Sequence, residues 1–206
     1  MKKVSFVFIL LIGLGFISYA QTVTIGSQVW MTKNIDVAKF RNGDSIPEAK
    51  TVEEWVKAGE KKQPAWCYYD NNPANATKYG KLYNWHAVND PRGIAPVGYH
   101  LPSDEEWTVL TDYLGGEEKA GAKMKSKTDW IEGRNDTNSS GFSGLPAGNR
   151  FDDGSFGYVG EYGNWWSSSE VDTDDAVIRG LYYKDGTVGQ YSLSKKWGLS
   201  VRCLKD

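Results

Sequence analysis

The sequence has little of the material from which metal and catalytic sites are usually built. Its 206 residues include two histidines, His86 and His100, and two cysteines, Cys67 and Cys203. No His-x-x-x-His or Cys-x-x-Cys spacing occurs, so a zinc site of the usual kind lacks ligands. No EF-hand loop and no Gly-x-Ser-x-Gly elbow is present, and neither a metal nor a cofactor is expected. Runs of basic residues are also missing, which argues against nucleic acid as a partner. Apolar runs are confined to the N-terminus, so no membrane span is expected after its removal. No Pro/Gly/Ser-rich linker divides the rest, and residues 21–206 read as one domain of ordinary size.

The N-terminus has the order of a secretory signal. Lys2 and Lys3 precede an apolar stretch from Val4 to Ile17, and Ser18-Tyr19-Ala20 places small residues where a signal peptidase acts. Residues 1–20 are therefore expected to be a signal peptide cleaved after Ala20, with the mature chain secreted, periplasmic or on the cell surface. The alternative is an uncleaved anchor, for which the stretch is short and broken by glycine. Losing two lysines moves the formal charge from −2 to about −4.

What is abundant is aromatic and turn-forming. Nine tryptophans, twelve tyrosines and 23 glycines suit a core of large rings between many turns. Val23 to Met31 alternates about Gly26-Ser27 and reads as a hairpin. Thr51 with Glu54, and Ser103 with Glu106, are capping boxes that open two helices. The first is expected to be no longer than two turns and to end at Gly59. Gly115-Gly116 stops the second, whose buried stripe is Trp107, Leu110 and Leu114. Leu82, Trp85 and Val88 sit at helical spacing, so Gly80–Val88 favours helix, although its aromatic content would suit a strand. From Gly141 onward the pattern is strand and turn, including a hairpin about Lys184-Asp185-Gly186 and a last strand from Leu199 to Cys203. Short helices followed by a run of antiparallel strands describe an α+β domain. In an oxidising compartment the pair Cys67 and Cys203 reads as a disulfide, the alternative being two separate buried thiols.

Several blocks carry a resemblance. Ile25-Gly26-Ser27-Gln28-Val29-Trp30-Met31, Phe40-Arg41-Asn42-Gly43-Asp44, Gly80-Lys81-Leu82-Tyr83-Asn84-Trp85, Tyr99-His100-Leu101-Pro102-Ser103, Gly141-Phe142-Ser143-Gly144-Leu145-Pro146, Trp165-Trp166-Ser167-Ser168 and Ser200-Val201-Arg202-Cys203 resemble the Fibrobacter succinogenes major paralogous domain. More distantly, Leu101-Pro102-Ser103-x-x-Glu106-Trp107, Gly163-Asn164-x-Trp166 and Gly198-x-Ser200-Val201-Arg202 are similar to segments of formylglycine-generating enzymes, which implies a C-type lectin-like fold. The Glu-Pro-Asn and Trp-Asn-Asp signatures of calcium-dependent lectins are absent, and Asp70-Asn71-Asn72 and Asp172 to Asp175 read as polar turns, the alternative being oxygen ligands for calcium. The expected function is a binding module for carbohydrate or an extracellular protein. Its site is expected around Trp165 and Trp166, with Asn164, Glu161, Arg150 and Arg179 beside it: one ring faces outward, the alternative being that flanking loops bury both. No catalytic residue is assigned; the alternative is a secreted enzyme, formylglycine-generating-like or with a carboxylate pair.

Overall fold

Local signals start most of the elements. The computed structural model describes residues 21–132 and 136–206, so the expected signal peptide lies outside the described residues. The first alternating stretch forms a hairpin of β1 (Thr22–Ile25) and β2 (Gln28–Met31). The helix α1 (Val52–Glu60) opens on a complete capping box: the Glu54 amide donates to Thr51 Oγ1 and the Thr51 amide to the Glu54 carboxylate. At nine residues it outruns the expected two turns, because Gly59 packs within it against Lys196 instead of ending it.

Next, β3 (Trp66–Cys67) pairs with β4 (Leu82–Tyr83) across a loop holding two 3-10 turns and the single-turn α2 (Ala76–Tyr79). The Gly80–Val88 segment, expected as one helix, is divided between β4 and α3 (Trp85–Val88). The break falls at Asn84, whose side chain caps the Ala87 amide at 3.0 Å. Beyond β5 (Tyr99–His100), α4 (Asp104–Tyr113) carries the second capping box, and Gly115 and Gly116 end it at φ 104° and 90°. A further helix, α5 (Glu117–Met124), follows at once. The remaining elements are β6 (Ala147–Arg150), β7 (Phe156–Val159), β8 (Tyr162–Glu170), β9 (Asp175–Tyr182), β10 (Val188–Ser194) and β11 (Leu204–Lys205). Helices and antiparallel strands share one core, which makes the fold α+β. Among the described residues no helix is long and apolar enough to cross a membrane.

One sheet, in the order β1-β2-β11-β5, brings the first hairpin against the last strand; Leu204 pairs with Trp30 on one side and His100 on the other. A second sheet runs β10-β9-β8, and β6 pairs with β7. The alternation at Leu199–Cys203 predicts a strand, but this stretch threads the centre of the molecule and is wholly buried. Single bridges join Leu199 to Tyr83, Ser200 to Trp165 and, just before them, Gly198 to Arg150.

Rings fill the core on both sides of the β8–β10 sheet. One cluster gathers Trp30, Trp107, Phe142 and Trp165, with Trp30 and Trp107 centroids 4.7 Å apart. Another gathers Trp66, Tyr83, Trp85, Trp166 and Cys203, and a third, under α1, holds Trp55, Leu82 and Cys67. The expected disulfide is therefore corrected: Cys67 and Cys203 are free thiols buried in different clusters. Desolvation raises each thiol pKa to about 12, although Arg150 near Cys67 and Arg202 near Cys203 pull the other way. Neither has the exposure or the lowered pKa that thiolate chemistry requires.

Candidate functional site

The β8–β10 sheet has two unlike faces. Register places Trp165, Arg179 and Gln190 in one cross-strand row, and Asn164, Gly180 and Gly189 in the next, on the opposite face. The first row faces the helices. Arg179 there donates to Asp104 Oδ1 at 2.9 and 2.6 Å, to Glu117 at 3.1 Å and to the Thr108 hydroxyl at 2.9 Å, and Gln190 donates to Asp104 at 2.8 Å. Asp104 thus serves the sheet as well as the helix N-terminus, a tie that capping arguments alone do not reveal.

The expectation of an outward tryptophan is overturned. Trp165 is 1% exposed and Trp166 fully buried, because the sheet is covered on both faces at this point and alternation sends the two rings into different clusters. Their indole N–H groups donate to Asn34 Oδ1 and to the Tyr83 carbonyl, each at 2.8 Å. Arg150 is also buried. It donates to the carbonyls of Ala49, Thr51 and Gly154, and its guanidinium lies over Trp55 and Phe156. Arg179 is committed to α4 and α5, and Glu161 stands half-buried beside Tyr162. Of the expected site residues, only Asn164 reaches an open hollow.

That hollow, of 290 Å³, lies on the glycine-bearing face. Its polar floor is a pair of buried amides. Asn164 Nδ2 donates to Asn149 Oδ1 at 3.1 Å. Asn149 Nδ2 and Asn164 Oδ1 make no hydrogen bond among the described residues, and both residues line the hollow. Its walls are the rings of Tyr158, Tyr162, Tyr191 and Trp197, with Ile178 and Leu193 beneath. Tyr191 is 57% exposed and Tyr158 46%. None of the lining residues carries a formal charge.

Two backbone features shape the hollow. A Cβ on Gly189 would fall 2.3 Å from the Tyr191 ring, and one on Gly180 2.5 Å from Asn164 Oδ1. Both positions must lack a side chain for the ring to lie down over the sheet and for the amide to reach it. Tyr158 has φ 67°, a left-handed conformation that costs a bulky residue about 1–3 kcal/mol and tends to occur at ligand sites. The strain is held by ring packing, Tyr158 lying 5.6 Å from Phe151 and 5.1 Å from Tyr162. Burial and the neighbouring Tyr182, Tyr158 and Tyr191 raise the Tyr162 pKa, so its phenol stays neutral and able to donate at neutral pH.

The larger open groove, of 500 Å³, runs between residues 32–36 and 76–80 and is different in kind. Its two carboxylates are each tied to a lysine, Asp36 to Lys81 and Asp129 to Lys78. Hydrogen bonding from Lys78 holds the Asp129 carboxyl below its ordinary pKa, which is unsuited to a general acid. Asp172 spends Oδ1 on the amides of Asp174 and Asp175, both at 2.8 Å, as a polar turn does.

Sequence reasoning missed Asn149, Tyr158, Tyr162, Tyr191 and Trp197. Period-two alternation within β8 already joins Tyr162 to Asn164, and this was the available signal. Bringing Tyr191 to them requires the β9–β10 register.

A family model, the Fibrobacter succinogenes major domain, matches residues 23–205. Neither a curated protein nor a solved structure matches the chain.

Proposed function

We propose that this chain, which belongs to the Fibrobacter succinogenes major domain family, is a binding module for neutral carbohydrate, with its site in the hollow of Asn149 and Asn164. The observation that carries the reading is the pair of buried amides with one donor and one acceptor unspent inside an uncharged ring of aromatics. A sugar offers what such a site lacks: hydroxyls that both donate and accept, and C–H faces that pack on rings. The absence of charge favours a neutral sugar over an acidic one.

The wider reading is of an exported protein with a C-type lectin-like fold. The pairing of the first hairpin with the last strand in one sheet supports the fold. The basic, apolar and small-residue order of residues 1–20 supports export.

A glycan array probed with the purified protein, followed by the variants Tyr191→Ala and Asn149→Leu, tests the function. Neutral glycans should bind the wild type, and both variants should weaken that binding while Tyr191→Ala keeps its thermal stability. Binding that survives both variants, or selection of acidic glycans alone, refutes the assignment. A protein partner and no glycan would replace it with the other binding class.

A further inference from the structure

The hollow does not end at Tyr191. A second depression of 130 Å³ adjoins it and shares Tyr162 and Tyr191 with it. Tyr182, stacked on Tyr162 at 4.5 Å, forms one wall, and the β9–β10 turn with Asp185 and Thr187 forms the far end. Gly180 and Gly189 line this depression, and the rings of Tyr162 and Tyr191 stand where the two hollows meet. Unlike its neighbour, the second hollow holds a charge. The Thr187 amide donates to Asp185 Oδ1 at 2.9 Å, and Oδ2 makes no hydrogen bond among the described residues. The turn itself is fastened to the core, the buried Lys125 ammonium donating to the Asp185 carbonyl at 2.6 Å.

We propose that the two hollows are consecutive subsites for one neutral oligosaccharide of at least two rings. This rests on the carbohydrate reading above. Asn149 and Asn164 read one ring through a donor and an acceptor; Asp185, an acceptor only, takes hydroxyl protons from the next. Tyr162 and Tyr191, common to both, contact both rings and set the spacing between them. A carboxylate that accepts from hydroxyls forms charge-assisted bonds, stronger than neutral ones, and repels a uronate at the same place. The pair of hollows therefore selects for chain length and against acidic sugars.

Calorimetric titration of the full protein compares cellobiose, maltose and chitobiose, each with the methyl glycoside of its own monomer. The wild type should bind at least one disaccharide about tenfold or more tighter than its monomer. In Asp185→Asn, whose Oδ1 still accepts the Thr187 amide and keeps the turn, that ratio should fall by about tenfold. A ratio near one in the wild type, or one unchanged in Asp185→Asn, overturns the second subsite and leaves binding at the first standing. If no methyl glycoside and no disaccharide binds, the carbohydrate reading fails and the subsite with it.

Discussion

Gly189→Ala separates the site from the fold with a single methyl group. The new Cβ would stand 2.3 Å from Tyr191 Cε2 and 2.4 Å from its hydroxyl, so the ring must move by about 1 Å or more to regain van der Waals contact. Tyr191 is mostly exposed and free to swing outward, so the relief is cheap for the fold. Gly189 lies in the ladder of β10 opposite Gly180, where alanine meets no left-handed φ. Removing the glycine's unfolded-state freedom returns about 0.4–1 kcal/mol, which offsets the lost ring contact. Net stability should stay within about 1 kcal/mol of the wild type, a shift of a few degrees in Tm. Ligand binding, by contrast, loses the ring that both hollows share, about 1–2 kcal/mol of apolar contact, or roughly tenfold in Kd. Chemical denaturation and titration with the array-selected glycan measure the two effects. An affinity within twofold of the wild type refutes the role of Tyr191. A loss of about 3 kcal/mol of stability refutes the claim that the ring is free to move.

Trp165→Ala and Trp166→Ala should each destabilise the protein by about 3–5 kcal/mol in urea denaturation, because both rings are core; a near-neutral effect of either would contradict its burial. Thiol titration without reductant should find no reactive group in the folded protein and two per chain after denaturation, since Cys67 and Cys203 are unbonded and buried. The two histidines should tilt stability in opposite directions. Partial burial alone would lower the His100 pKa, but its bonds to Asp206 and Glu106, at 2.8 and 2.9 Å, outweigh this and raise it above 6.5; its contribution is thus complete below pH 6.5 and lost as pH rises through the folded value. His86, held neutral by burial and by Lys62, Lys195 and Lys196, has its pKa lowered to about 4, so stability is lost as pH falls from 6.5 toward 4. Denaturation midpoints across pH 4–9 should lose the alkaline slope in His100→Asn and the acid slope in His86→Gln; slopes that persist would refute the assignments.

The parts legible in the sequence are those decided by near neighbours. Thr51 with Glu54 and Ser103 with Glu106 need only three residues of chain to form a capping box, and both form. The hairpins about Gly26-Ser27 and Lys184-Asp185-Gly186 need only alternation and a turn. The misses have one local and one distant cause. Asn84 caps α3 and so cuts the periodic run Leu82–Val88 into strand and helix. Glu117–Met124, directly after two glycines, restarts a helix that packs its Gly121 against the Gly186 and Thr187 carbonyls, a contact no neighbouring residue announces.

The amino-acid sequence by itself determined the α+β class, the starts of the two capped helices, the hairpin turns and the family, since each depends on residues close in the chain or on whole blocks in order. Tertiary structure alone decided which surfaces stayed open. Alternation says that Trp165 and Trp166 point opposite ways; it does not say that both directions lead into core. It places Asn164 with Tyr162, but the pairing of three strands sets Asn164 beside Gly180 and Gly189 and lays Tyr191 over them. The two cysteines, an obvious pair by count, lie in clusters assembled from different parts of the chain. Period two is a property of the backbone, whereas coverage and register follow from how distant segments pack, and the candidate site exists only where that packing leaves one glycine-lined face uncovered.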